Sequence, residues 1–428
     1  MNEDFLAFVW QHQYFDHSAL NTLSGHKITV LRPGYRNTNA GPDFFEARIE
    51  IGGMLWIGNV ELHVRTSGWN QHGHSSDKNY DSVILHVVWE NDLPMEDHPN
   101  TRIPVMELRH RVDPGMTDRY LAILETMQDI PCGRQFPGVP PLVKSSMTDR
   151  VLVERLQNKS VVISDMLARN NGDWDETAWQ LLARYFGAKV NADAFQSLAE
   201  RIPLKILLRH RDDFLQLEAL LLGTAGLIPS ATASGYVSDL KREYTFLSKK
   251  YGLEKKRLDA IEWKMFRLRP AGFPAVRIAQ LASLVSRNGN LFSLLTSFET
   301  TSQFVTSLRC IQSAYWHTHY HFGRPARTLV PPMGIEAVYT LVINAAAPLL
   351  AAYSFKTDNR SYLDRAVRLL EEIPAENNRI TRKWKQLGLE MSSAASSQGA
   401  TEWYHRYCIL KRCLSCAVGN VLLKKKAP

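Results

Sequence analysis

Two acids and a histidine fall at a spacing that suits a divalent cation. Asp43 follows Gly41-Pro42, and seventeen residues (44 through 60) separate it from Glu61-Leu62-His63. An acid opening one strand and an acid in the middle of its hairpin partner can converge on one ion, because antiparallel neighbours lie about 4.8 Å apart. Glu61 and His63, two positions apart, share a face of an extended strand. Two carboxylates and a third polar group on one face can hold Mg²⁺ or Mn²⁺ against substrate phosphates. His72, His74 and Asp77 follow closely, and histidine with aspartate suits Zn²⁺ or Mn²⁺ better than Mg²⁺. The alternative for these three is ordinary turn capping. His86, inside an apolar run, reads as a core histidine.

Thiols form a further group. Five cysteines stand at 132, 310, 408, 413 and 416, the last three as C-x4-C-x2-C. Three thiolates need a fourth ligand for zinc or an iron–sulfur cluster, and Cys132 or His405 could supply it. Against this, Glu402 to Leu423 reads as one continuous helix, on which Cys408 and Cys416 would be buried residues of an apolar stripe.

The elements that must position these groups are legible around them. Asp4 to Tyr14 has a helical pattern, His26 to Leu31 is β-prone, and Asp43 to Ile51 alternates before Gly52-Gly53, a strong hairpin signal. The partner strand, Met54 to Val64, places Trp56, Val60, Leu62 and Val64 on one face and Asn59, Glu61, His63 and Arg65 on the other. Trp69 to Tyr80 is polar, a loop with one helical turn. Ser82 to Trp89 is apolar enough for a central strand buried on both faces. A strand at Arg102 to Leu108 and a helix at Thr117 to Gln128 complete the segment. Beyond Pro140-Pro141 the period becomes 3.6, with helices expected at 142–169, 175–186, 192–201, 213–222, 237–251, 275–287, 291–297, 302–314, 335–353, 361–372, 379–387 and 397–423. No fixed repeat length marks a solenoid. The expectation is an α+β chain: a module over 1–140 with a mixed sheet, then a larger all-α domain over 141–428.

Charge divides the same way. Residues 1–100 carry six Lys or Arg against thirteen Asp or Glu, with eight of the fourteen histidines, while the remainder has 45 bases against 30 acids. A polyanion would therefore meet the helical part. There Arg267, Arg269 and Arg277, with Trp316, His317, His319, Tyr320 and His321, could stack on unpaired bases, or could be an aromatic wedge between helices. Lys424-Lys425-Lys426 reads as a solvated tail. Glu3 and Asp4 stand where a secretory signal would be basic then apolar, which places the chain in the cytoplasm. The apolar stretch Gly334 to Tyr353 contains Glu336, Asn344 and Pro348, so a buried helix is expected and no membrane association. No Walker loop, dinucleotide fingerprint or HExxH occurs.

Helix, strand, Pro42-Asp43, then Glu61-Leu62-His63 on a hairpin and a buried strand resembles the core of the PD-(D/E)xK nuclease superfamily, a restriction-endonuclease-like fold. The resemblance covers about a quarter of the chain. It implies that Asp43 and Glu61 ligate Mg²⁺ or Mn²⁺, with His63 where the superfamily has lysine and Glu3 as a further acid. Some members also staple distant chain ends with four cysteines in an iron–sulfur cluster, which draws attention to Cys132. A neutral histidine is not a fixed cation: it can act as general base or bind metal directly. The whole chain is also similar to an uncharacterised bacterial domain-of-unknown-function family, through Gly41-Pro42-Asp43-Phe44, Gly58-Asn59-Val60-Glu61-Leu62-His63, Trp69-Asn70-Gln71-His72-Gly73-His74, Asp77-Lys78-Asn79-Tyr80, Val83-Ile84-Leu85-His86-Val87-Val88 and Arg269-Pro270-Ala271-Gly272-Phe273-Pro274. The nuclease resemblance implies metal-dependent phosphodiester hydrolysis on nucleic acid. The alternative is a non-catalytic binding or scaffold protein that retains a degenerate core.

Overall fold

The computed structural model describes residues 2–93, 103–230, 235–265, 268 and 272–424. Two compact units divide the chain. One comprises residues 1–147 with 403–428, the other 148–402, and the dividing point after Met147 falls inside the helix Pro141–Arg169. Arg267 and Arg269, the start of the expected strand at Arg102, and the tail from Lys425 lie outside the described residues.

The first unit opens with helix α1 (Glu3–Gln11), capped by the Asn2 side chain, which accepts from the Phe5 amide. Its sheet contains β1 (Ile28–Arg32), β2 (Tyr35–Arg36), β3 (Phe44–Ile51), β4 (Met54–Arg65), β5 (Val83–Glu90) and β6 (Val105–Glu107). Strand order is β1-β3-β4-β5-β6, with β2 also on β3. The β1–β3 and β3–β4 pairs are antiparallel, the β4–β5 and β5–β6 pairs parallel, so the sheet is mixed, as expected. Gly52 and Gly53, with φ of 59° and 83°, supply the two left-handed residues that the β3–β4 turn requires.

Register in this hairpin decides the chemistry. Near the turn Ala47 faces Gly58, but further along Phe44 faces Val60. A bulge at Phe45 and Glu46, the latter at φ 56°, absorbs one extra residue. Asp43 is thereby aligned with Glu61. Without the bulge Asp43 would face Leu62, whose side chain points to the other face.

The β4–β5 connection, residues 66–82, is a parallel crossover built of short turns instead of the long helix usual in such connections. It contains α2 (Gly68–Gln71) and two 3₁₀ turns, His74–Ser76 and Lys78–Tyr80. Val60, Glu61, Leu62 and His63 are all buried, so both faces of β4 are covered there. Helix α3 (Pro114–Glu125) follows β6, and the core of this unit gathers Phe5, Val9, Ile49, Leu85 and Met106 with Cys413 and Leu423 from the other end of the chain.

That return differs from the expectation for the C-terminus. The continuous helix expected over 397–423 is three pieces: Ala394–Trp403 running into a π-turn at Tyr404–Cys408, a 3₁₀ turn at Cys413–Ser415, and Ala417–Lys424. Lys411 stands at φ 51°, and its ammonium donates to the carbonyls of Leu124 and Thr126. Capture of that side chain ends the helix where periodicity would continue it.

The second unit is helical, around a core that includes Trp179, Leu221, Leu281 and Leu349. Its helices follow the expected spans closely, among them Trp174–Phe186, Ala192–Arg201, Tyr236–Tyr251 and Pro274–Arg287. One expected over 302–314 ends at Leu308. Ile335–Thr357 is long and apolar enough to cross a bilayer, yet 67% of its most apolar window is buried within the protein. It contains a π-turn at Val342–Ala346. Trp316 is fully buried, its indole donating to the Tyr236 hydroxyl at 2.9 Å. It is therefore a wedge rather than a surface for stacking a base. His319–His321 instead forms a short hairpin with Arg324–Pro325.

Candidate metal centre

The bulged register brings Asp43 and Glu61 into reciprocal contact. The Asp43 amide donates to Glu61 Oε2, and the Leu62 amide to Asp43 Oδ2, each at 3.1 Å. Arg36 Nη1 lies 3.7 Å from Asp43 Oδ1. Burial raises the Asp43 carboxyl, with Arg36 opposing. Burial, then the Asp43 charge, pushes Glu61 up to about 8. Two acids enclosed together with one nearby guanidinium are short of positive charge.

The crossover lays its histidines over the same face of β4. His74 Nε2 lies 3.3 Å from Glu61 Oε1, and His63 Nε2 lies 3.8 Å from the same oxygen. His63 Nε2 is 3.1 Å from His72 Nδ1, and His63 Nδ1 is 2.9 Å from His86 Nε2. One nitrogen from each of His63, His72 and His74 falls within 4.8 Å of the others. His74 Nε2 is buried and makes no hydrogen bond.

Aromatic rings fix the histidines. Tyr80 stacks on His74 with centroids 3.8 Å apart, and Trp69 meets His74 and His86 edge-on or tilted at 5.4 and 5.2 Å. The Trp69 indole donates to Ser75 Oγ at 3.0 Å, which holds the turn that presents His74. Burial, then the neighbouring imidazoles, pushes His63 down to about 2; burial, then His72, lowers His74. Imidazoles kept neutral are imidazoles ready to donate a lone pair.

A nitrogen from each of His63, His72 and His74 can reach one tetrahedral ion, with Glu61 Oε1 close to two of them. With metal–nitrogen bonds of about 2.0 to 2.1 Å, four tetrahedral donors stand roughly 3.3 to 3.4 Å apart. The separations His63–His72, His74–Glu61 and His63–Glu61, at 3.1, 3.3 and 3.8 Å, bracket that value. His63, His72, His74 and Glu61 therefore suit Zn²⁺ or Mn²⁺ better than Mg²⁺, which favours oxygen. Asp43 touches this set through Glu61. Asp77 stands outside it, accepting from the Asn79 amide at 2.9 Å as the cap of the second 3₁₀ turn. His86, expected as a core residue, is buried and backs His63. An open cleft of about 200 Å³, lined by Glu3, His63, Arg65, Ser67, Gln71 and His72, reaches the cluster from solvent.

The chain is thus a mixed α+β protein whose sheet-bearing unit brings a nitrogen of each of buried His63, exposed His72 and buried His74 within 4.8 Å of the others, beside buried Glu61. Residues 3–379 match the family described as "Protein of unknown function (DUF2851)", and the chain belongs to that family. No curated protein and no solved structure matches it.

Proposed function

We propose that this protein is a divalent-metal-dependent hydrolase of phosphodiesters in nucleic acid, working at His63, His72, His74 and Glu61 with Asp43 alongside. The observation that carries the reading is the buried His74 Nε2, which has no hydrogen bond yet stands 3.3 Å from Glu61 Oε1. A buried polar atom without a partner costs about 1 to 3 kcal/mol, and a cation between the two atoms removes that cost. When bound, the ion would supply Lewis-acid charge for a phosphoryl oxygen.

The chain's own residues divide the remaining work. A proton on His63 Nδ1, donated to His86 Nε2, leaves His63 Nε2 to face the donor set. Exposed Arg65 at the cleft gives an approaching phosphate a positive partner. Asp43, which accepts from the Leu62 amide and lies beside Arg36, adjoins the ligand set through its amide hydrogen bond to Glu61. The antiparallel β1-β3-β4 arrangement followed by a parallel crossover to β5, with acids on the β3–β4 hairpin, supports the nuclease-like reading. Fold likeness alone would not establish the reaction.

A second reading has its own observation. Four protein donors close a tetrahedral shell, as in structural zinc sites, whereas catalytic sites keep one position open. A binding or scaffold protein with a fossil core would have such a site. The test is elemental analysis of the purified protein beside Mn²⁺- and Zn²⁺-dependent cleavage of labelled single- and double-stranded DNA and RNA, with Asp43→Ala and Glu61→Ala as controls. Cleavage lost in both variants supports the hydrolase. Stoichiometric metal without cleavage supports the closed site, and absence of metal refutes both.

A further inference from the structure

The second unit contains a cavity of about 350 Å³ that none of the metal-centre residues lines. It lies between three helices. Pro141–Arg169 lines it with Lys159, Val162, Ile163, Met166 and Arg169, whose spacing of three and four places them on one face. Trp174–Phe186 brings Leu181, Arg184 and Tyr185 by the same rule, and Ile335–Thr357 brings Asn344 and Pro348. Small-molecule pockets commonly measure about 300 to 1,000 Å³, so the volume suits a small ligand.

Charge in this cavity is one-sided. Lys159, Arg169 and Arg184 line it, and none of the described lining residues is an acid. Arg184 Nη1 donates to Asp193 Oδ1 at 2.8 Å, but the Asp193 side chain is 93% exposed, where an ion pair contributes little. Half-buried Lys159 instead donates to a neutral oxygen, Asn344 Oδ1, at 2.8 Å, and stands 5.4 Å from the centre of the Tyr185 ring. Burial, then Arg155, pushes Lys159 down to about 7, with Glu402 and Glu376 opposing. Of those two acids, Glu402 is already engaged by Arg155 at 3.1 Å. The ammonium is thus short of negative charge, which an anionic ligand would supply.

The backbone prepares Asn344 for its part. Pro348 has no amide proton for the Asn344 carbonyl, and in an α-helix its ring would collide with that oxygen. The helix widens just before it into the π-turn Val342–Ala346, a form frequent at functional positions. Asn344 Nδ2 donates to the Thr340 carbonyl at 3.0 Å, which turns Oδ1 toward Lys159. The lysine is thereby held at the cavity. Beside the cations, Val162, Ile163, Met166 and Pro348 supply an apolar wall.

We propose that this cavity binds a small organic phosphate monoester, its dianionic head against Lys159, Arg169 and Arg184 and its apolar body against Val162, Ile163, Met166 and Pro348. A dianion answers three cations better than a carboxylate, which brings one charge. The site shares no residue with the metal centre, so its failure would leave the reading of that centre untouched. The test is calorimetric titration of the full chain, freed of metal by dialysis against a chelator, with phenyl phosphate at pH 7.5. Phenyl phosphate should bind at least tenfold more tightly than benzoate, which lacks the second charge, and than inorganic phosphate, which lacks the apolar body. Lys159→Met should weaken binding at least tenfold. Lys249→Met, at an exposed position of Tyr236–Tyr251, and His74→Ala should leave it unchanged. The wild-type titration decides even where a variant fails to fold: no binding at about 10 mM phenyl phosphate overturns the proposal. Benzoate or inorganic phosphate bound as tightly overturns it too, as does a folded Lys159→Met variant with wild-type affinity or an equal loss in Lys249→Met.

Discussion

Gly68 offers a way to disturb the histidine centre without removing any donor. It opens α2 against the His63 ring, and a Cβ added there would stand 2.7 Å from His63 Cδ2 and 3.0 Å from Cγ. Its φ is not in the left-handed region, so alanine fits the backbone and should favour the helix by up to about 1 kcal/mol. The steric effect opposes this and is larger. Restoring ordinary contact at 3.4 Å requires the ring to retreat by the difference from 2.7 Å, about 0.7 Å. Metal–ligand distances tolerate roughly 0.2 Å. Gly68→Ala should therefore cost about 1 to 3 kcal/mol through overpacking. It should weaken Zn²⁺ binding by about 10- to 100-fold, the range seen when groups supporting a metal ligand are disturbed. The assay is competition with a chromophoric chelator at pH 7.5, with thermal unfolding of the metal-free and loaded forms. Gly138→Ala is the control, since nothing lies within 4 Å of a Cβ there. If Gly68→Ala binds Zn²⁺ as tightly as wild type while its melting temperature rises, the packing argument fails and with it the assignment of His63 to the ligand set.

Other perturbations separate the remaining roles. Asp43→Asn should abolish phosphodiester cleavage while metal content stays at the wild-type level, because Asp43 lies outside the donor set; loss of metal would place it inside. Glu61→Gln should lower Zn²⁺ affinity more than tenfold by removing an anionic donor, and equal affinities in a calorimetric titration would dismiss Glu61 as a ligand. In the helical unit Glu218 is 1% exposed, accepts from Tyr236 and Ser313, and is pushed by burial from 4.5 up to about 7. The folded chain keeps that proton where the unfolded chain releases it, so its contribution is whole below pH 4.5 and disappears as pH rises to 7. The difference amounts to about 3 kcal/mol. Glu218→Gln should lose less melting temperature than wild type between pH 5 and 8; parallel profiles would contradict this. Lys411→Ala should destabilise the first unit by about 1 to 3 kcal/mol by leaving two carbonyls without their ammonium, measurable as a lower denaturation midpoint, and an unchanged midpoint would show that the helix break does not depend on that side chain.

Local pattern made much of this fold readable. Alternation from Phe45 to Ile51, Gly52-Gly53 and renewed alternation announce the hairpin, since a strand's faces repeat every two residues and the turn needs left-handed backbone. The acids were visible as acids on that hairpin. Their alignment was not, because it depends on an irregularity at Phe45 and Glu46 that has no compositional signature. His72 and His74 were legible as metal-type residues. Their meeting with Glu61 and His63 depends on how the crossover folds across β4, a tertiary event. Asp77, equally suggestive by type, is a turn cap. The C-terminal break was hidden for a similar reason: every residue from Ala400 to Leu410 tolerates a helix, and the carbonyls that capture Lys411 lie at 124 and 126.

That break also orders events in time. The first unit is assembled from residues 1–147 and 403–428, so its core lacks Cys413 and Leu423 until the whole second unit has been made. At roughly 5 to 20 residues per second, the intervening residues take on the order of tens of seconds to synthesise. During that interval the sheet, its histidines and Cys132 exist on the ribosome without the segment that finishes them. Loss of the last two dozen residues would thus be felt at the opposite end of the chain, so a premature stop near residue 400 would leave the sheet-bearing unit unfinished.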